Sequence, residues 1–188
     1  GCFSRADIER RLGFRRLYDP EAHPDLSGDI VNRPYQREAV WHICEDVHKG
    51  VRRLLVSTPP GTGKTRMAAG AIEALLQQKA IGKVLYLADR EELAHQAYDQ
   101  FCALLPDVKL VDLLGDVRDE VQADVVFATA TIMMDAVNES RTEDGARLYD
   151  PAHFDLVVID ESHPSIYDDH LVLLSYFDAI LLGFSSLA

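Results

Sequence analysis

The most constraining feature of this sequence is a set of short apolar runs that do not alternate with polar residues. Phe154-Asp155-Leu156-Val157-Val158-Ile159 and Ala179-Ile180-Leu181-Leu182 are the clearest. A strand wetted on one face alternates, whereas a continuous run marks a strand buried on both faces. Such strands need helices above and below, hence a parallel sheet in a three-layer α/β domain. The rest of the chain supplies the pieces in turn. The patterning predicts strands over 52–57, 83–88, 108–112, 124–128, 154–159 and 179–183, and helices over 64–79, 90–105, 130–138 and 168–176. Right-handed crossovers wind them doubly, and ligands in such sheets sit beyond the carboxyl ends of the strands.

Ahead of this alternation, Ser4, Ile8, Leu12 and Gly13 predict a short helix over 4–12, and the prolines of 19–34 predict an extended lead-in. Pro34 suits a first helical position. The helix it opens is expected to run to about Lys49, with Ala39, Val40, Ile43, Cys44 and Val47 inward and Gly50 at its end. Polar, Gly-bearing 139–152 reads as a surface loop or insertion. The expected organisation is therefore an N-terminal helix and lead-in, 1–32, followed by one domain, 33–188.

Composition enters mainly through what it excludes. A chain of 188 residues, 47% hydrophobic and 27% charged, fits one soluble domain with a real core. It has no apolar run of the ~20 residues a membrane helix requires. Cys2, Cys44 and Cys102 lie far apart with no C-x-x-C, which argues against a disulfide framework or zinc ribbon and for a reducing cytoplasm. A net charge of −12 excludes a simple basic nucleic-acid binder. Any such contact must be confined to one face or shared with a partner.

Chemistry concentrates in Ser57-Thr58-Pro59-Pro60-Gly61-Thr62-Gly63-Lys64-Thr65, between the run Leu54-Leu55-Val56 and a helical stretch. Strand, Gly-containing loop, Lys-Thr, helix is the context of a phosphate-binding loop. Gly61 and Gly63 allow backbone amides around Thr62 to turn inward, and the helix N-terminus adds positive potential. Lys64 is then placed to reach the terminal phosphates, and the Thr65 hydroxyl to hold Mg²⁺. Thr58 stands where the strict G-x-x-x-x-G-K-[ST] pattern has Gly, and the anion cradle does not depend on it.

Asp160-Glu161-Ser162-His163 directly follows the strand 154–159. A carboxylate there shares the sheet edge of the phosphate loop, so Asp160 is the candidate Mg²⁺ residue, acting through water. Glu161 is the candidate for orienting or deprotonating the water that attacks the γ-phosphate. His163 has no second His or Cys at ligand spacing, and its expected role is a hydrogen bond joining the site to a neighbouring element. In Asn32-Arg33-Pro34-Tyr35-Gln36-Arg37, the Gln36 amide can pair with an adenine edge. In Leu85 to Gln96, Asp89 is expected to cap the next helix, bringing Arg90 and Gln96 near the same edge.

Together these elements resemble the first motor domain of a superfamily 2 helicase, a three-layer RecA-like P-loop domain with a mostly parallel central sheet. Residues 33–36 resemble the Q motif, 58–65 motif I, 86–97 motif Ia and 160–163 a DEAH-type motif II. Phe127-Ala128-Thr129-Ala130-Thr131-Ile132-Met133-Met134 resembles the Thr-bearing element that contacts nucleic-acid backbone. Within the superfamily the chain is similar to the R subunit of type I restriction–modification enzymes. The carriers are Tyr86-Leu87-Ala88-Asp89-Arg90, the segment 154–163, Ser165-Ile166-Tyr167 and Tyr176-Phe177-Asp178-Ala179, with Pro164 where that family usually has Arg.

The resemblance implies ATP-driven translocation on double-stranded DNA, with ATP and Mg²⁺ as cofactors. It implies Lys64, Thr65, Asp160 and Glu161 as ATPase residues, Gln36 as adenine reader, and Arg90, Thr129 and Thr131 as DNA-facing residues. It further implies methyltransferase and specificity subunits as partners and a second motor domain supplying an arginine finger. Motif III would read roughly Gly-Leu-Thr-Ala-Thr-Pro. Gly183-Phe184-Ser185-Ser186-Leu187-Ala188 stands there instead, with Ser185 the coupling candidate alongside His163. By itself the chain is expected to bind Mg²⁺–ATP and to hydrolyse it weakly. The alternatives are a nucleotide-holding interaction protein and a general DNA or RNA helicase fragment.

Overall fold

The computed structural model describes residues 28–115, 122–142, 145, 147–160 and 167–186, with backbone only for 167–171. The expected helix over 4–12 lies outside the described residues. In chain order the elements are α1 (Pro34–His48), β1 (Arg53–Thr58), α2 (Lys64–Gln77), β2 (Val84–Ala88), α3 (Glu91–Leu104) and β3 (Leu110–Asp112). They continue with β4 (Val125–Thr129), α4 (Ala130–Glu139), β5 (Leu156–Ile159), α5 (Tyr167–Tyr176) and β6 (Ile180–Ser186).

The strands form one sheet in the order β1-β6-β5-β2-β4-β3, and every pairing is parallel. β2 and β4 are buried along their whole length, as unalternating runs require. One face of the sheet, carrying Tyr86, Phe127 and Val158, packs against α1, α2 and α3 through Val40, Ile43, Met67, Ile72 and Phe101. The other face, carrying Leu85, Val126 and Val157, packs against α4 and α5 through Met133, Val137 and Leu173. The packed unit also takes in Ile30 and Val31, ahead of Pro34.

β1 ends the sheet on one side, so its Leu54-Leu55-Val56 run behaves differently from the others. Leu55 is 67% exposed. The polar member of the 154–159 run is accounted for as well. Asp155 stands just before β5, where its Oδ2 accepts the amides of Gly82 (2.8 Å) and Lys83 (3.1 Å) and ties the entry of β2 to that of β5.

Two expectations need correction. The stretch 139–152 is not wholly a surface loop: Leu148 and Tyr149 are buried against the second face, and Ala152 is buried as well. The reason is aromatic packing, since Tyr149 stacks on Phe154 at 5.7 Å and its carbonyl accepts the Tyr176 hydroxyl at 3.0 Å. The last strand does not stop at 183. It runs to Ser186 because parallel pairing continues as far as Thr58↔Ser186. Among the described residues Cys44 and Cys102 are free thiols, and burial pushes the Cys44 thiol up to about 12. No described helix is long and apolar enough to cross a membrane.

Candidate active site

The phosphate-loop candidate joins β1 to α2. Gly61 and Gly63 hold φ of +75° and +82°, a region that side chains with a Cβ rarely enter. Gly63 is the N-cap of α2 and no side chain caps the helix there. The first-turn amides of α2 stand at the end of the glycine loop, the arrangement that favours anions at helix N-termini. A Cβ on Gly63 would also lie 2.6 Å from Gln36 Nε2. Inside the loop, the Thr62 hydroxyl donates to the Pro59 carbonyl (2.8 Å) and lies 3.0 Å from the Thr58 hydroxyl. Thr58 therefore supports the loop at the position where the strict pattern has Gly.

α1 grips the loop from the side. Gln36, 3% exposed, donates Nε2 to the Thr62 carbonyl at 2.9 Å, and its Oε1 accepts the Arg33 amide at 3.3 Å. Tyr35, which sequence reasoning did not single out, donates its hydroxyl to the same Thr62 carbonyl at 2.9 Å. Lys64 at the head of α2 hydrogen-bonds Ser186 Oγ. The contact follows from register, since Ser186 lies beside Thr58 at the end of β6. The neighbouring Ser185, the residue expected in a coupling role, donates to the Ser186 carbonyl at 3.4 Å.

Asp160 follows β5, separated from β1 only by β6. Ile159 pairs with Gly183, and Leu55 pairs with Gly183 on the other side, so Asp160 comes level with Val56 on the same carboxyl edge as the loop. Two strand spacings of about 4.8 Å separate them laterally. Its amide donates to the Leu87 carbonyl at 3.0 Å, and its Oδ2 accepts the Tyr86 hydroxyl at 2.7 Å. Glu161 and His163 lie outside the described residues.

Further along the edge, the structure separates the three nucleic-acid candidates. The Arg90 side chain is 75% exposed after β2. Thr131 is exposed in the first turn of α4. Thr129 is 8% exposed, and its Oγ1 accepts the Ile132 amide at 3.4 Å, so it caps α4. The expected Asp89 cap is also corrected. α3 begins one residue later, with Arg90 as N-cap and no side-chain cap bond. Glu91 and Glu92 in the first turn supply the negative charge that the helix dipole favours there.

An all-parallel sheet with a glycine loop leading into a helix and a carboxylate two strands away defines the P-loop motor class. The chain belongs to the family described as "Type III restriction enzyme, res subunit", whose sequence model matches residues 29–187. It is 28% identical over 144 residues to the type I restriction enzyme EcoKI endonuclease subunit of Escherichia coli K12, covering 75% of this chain and 12% of that one. It is 30% identical over 139 residues to the ATP-dependent RNA helicase DHX58 of Mus musculus, covering 70% and 19%. Its fold matches a fragment assigned as the HsdR subunit of a type I restriction enzyme from Vibrio vulnificus YJ016. The TM-score is 0.61 at 21% identity, over 96% of this chain and 31% of that one. The chain spans between 12% and 23% of the length of the curated relatives it matches. It is a motor domain of the helicase and restriction-enzyme type, with a RecA-like fold.

Proposed function

We propose that this chain binds Mg²⁺–ATP between the 58–65 loop and Asp160, as the first motor domain of a type I-like restriction translocase acting on double-stranded DNA. The observation that carries this reading is the shared edge: the glycine loop after β1 and the carboxylate after β5 face the same side, two strands apart. The donor set fits the cofactors. Amides at the head of α2 suit phosphate oxygens, while the Thr65 hydroxyl and Asp160 carboxylate are hard oxygen donors. Mg²⁺ in phosphoryl-transfer sites relies on one or two carboxylates plus the phosphates themselves. Bound there, Mg²⁺ would neutralise charge on the β- and γ-phosphates.

This chain's residues then have separate tasks. Gly61, Thr62 and Gly63 shape the cradle, and Lys64 places its ammonium on the terminal phosphates. Asp160 and Thr65 would hold Mg²⁺, and Glu161 would take the proton of the water that displaces ADP from the γ-phosphate. Gln36 keeps a second donor and a second acceptor beyond those it uses on Thr62 and Arg33, which is what reading an adenine edge requires. Arg90 and Thr131 lie against DNA backbone, with methyltransferase and specificity subunits and a second motor domain completing the assembly.

Titration of a fluorescent ATP analogue with Mg²⁺ into wild type and Lys64→Ala tests the reading. A hydrogen bond to a charged group is worth about 1.5–3 kcal/mol, so the variant should bind roughly 10- to 100-fold more weakly. Equal binding by both proteins would remove the proposal. The 30% identity to the mouse RNA helicase favours a second reading, an RNA motor. ATP turnover stimulated by duplex RNA but not by duplex DNA would establish that reading instead.

A further inference from the structure

We infer that Tyr86 is a positioning residue for the metal-side carboxylate: its buried hydroxyl fixes the rotation of the Asp160 side chain before any nucleotide arrives. The inference rests on the nucleotide reading above and adds to it a residue that lies inside an apolar strand. Tyr86 is in β2, fully buried, and pairs across with Val158 of β5. Residues two apart on a strand share a face. Asp160, two residues beyond Val158, thus presents its side chain on the Tyr86 side, and the phenol spans the offset diagonally.

A tyrosine hydroxyl inside a core needs a partner, because an unbonded buried hydroxyl costs roughly 1–3 kcal/mol by mutational data. Here the partner is Asp160 Oδ2, at 2.7 Å. The ring has little room to move. It meets Phe101 edge-on at 5.4 Å and Phe127 at 5.2 Å, and those two rings meet each other at 5.1 Å. Strand β2 therefore holds Asp160 twice, by the Leu87 carbonyl on its amide and by the Tyr86 hydroxyl on its carboxylate.

The terminal torsion of an aspartate is broad and roughly two-fold. A donor fixed to Oδ2 selects one orientation of the group. Partners behind a metal-binding side chain commonly change metal affinity or activity by 10- to 100-fold. The resemblance at 86–97 marks Tyr86 as part of a motif but gives no hint of this contact, because Asp160 stands after another strand.

The test uses Tyr86→Phe, which keeps the ring packing and removes only the hydroxyl. Binding of a fluorescent ATP analogue to the 188-residue chain is followed in EDTA and across a MgCl₂ titration. Expected is unchanged affinity in EDTA and a half-saturating Mg²⁺ concentration raised about 10-fold. In an Asp160→Asn background the same substitution should add little, since the two residues act as one unit. A variant whose Mg²⁺ requirement equals that of wild type overturns the inference, as do equal losses with and without Mg²⁺ or fully additive effects with Asp160→Asn. Wild-type protein that shows no Mg²⁺-dependent binding would overturn the nucleotide reading and this inference with it. Wild-type binding that depends on Mg²⁺, matched in full by Tyr86→Phe, would overturn this inference alone.

Discussion

The two halves of the carboxyl edge are built on different principles. Around the ends of β1, β6 and β5, polar side chains are held by hydrogen bonds: Gln36 and Tyr35 on the Thr62 carbonyl, Lys64 on Ser186, and Asp160 on the Tyr86 hydroxyl of β2. Along β2 and β4, Arg90 and Thr131 stand exposed, and the neighbours of Arg90 are Asp89, Glu91 and Glu92. A small anion with a metal, as proposed above, would need exact placement of a few groups, which side chains held in advance supply. A polymer backbone needs net positive charge along a path, and a chain of charge −12 provides little of it. The comparison teaches that one half of the edge is fixed by its own hydrogen bonds, whereas Arg90 and Thr131 in the other half stand open to solvent.

The sharpest way to break that contrast is Gly63→Ala. The substitution forces a Cβ into φ +82° and against Gln36 Nε2. Backbone strain of about 1–3 kcal/mol, plus displacement of Gln36, should weaken nucleotide binding by roughly 10- to 100-fold. Calorimetric titration with ATP and Mg²⁺ measures it, and wild-type affinity would show that the loop is not preorganised. On the other half, Arg90→Glu should leave nucleotide affinity unchanged. Its duplex binding should fall about 10-fold at low salt, with a salt slope shallower by about 1. A change in ATP affinity instead would join the two halves that the geometry keeps apart.

The smallest expected effect is a pH dependence in the second half. His95 Nδ1 meets Asp112 Oδ2 at 2.8 Å, its Nε2 lies 3.9 Å from Asp99, and its ring stacks on Tyr98 at 6.3 Å. The hydrogen bond to Asp112, then the charge of Asp99, raise the His95 pKa above its ordinary value. A raised folded-state pKa means the pair stabilises the protein fully below the unfolded value, near 6.5, and less as pH climbs through the folded one. The difference in melting temperature between wild type and His95→Gln should therefore shrink as pH rises from about 6 through neutrality into the mildly alkaline range. A difference that stays constant over that range would refute the assignment.

Much of this was legible in the residues because it depends on local pattern. Unalternating runs such as Leu156-Val157-Val158-Ile159 announced buried parallel strands, and the Gly-Lys-Thr loop and Asp160 announced their own edge. What escaped depends on register between distant strands. Ser186 reaches Lys64 only because β6 pairs with β1 to its last residue, and Tyr86 reaches Asp160 only because β2 lies beside β5. Asp89 failed as a cap because helix starts shift by a residue at little cost, and Arg90 took the position. Tyr149 escaped because polar neighbours hid an aromatic anchor within a loop-like stretch.

The position of β1 at the margin of the sheet has a mechanical consequence. Among the described residues β1 has β6 as its sole strand neighbour, and Leu55 looks outward. The bend that follows it is thus a cantilever, clamped along one flank by a parallel ladder and steadied at its tip by Gln36 and Tyr35. The last residue of β6, Ser186, is tied both to Thr58 by strand pairing and to the Lys64 ammonium by a hydrogen bond, so the same strand end steadies the root of the bend and the head of α2.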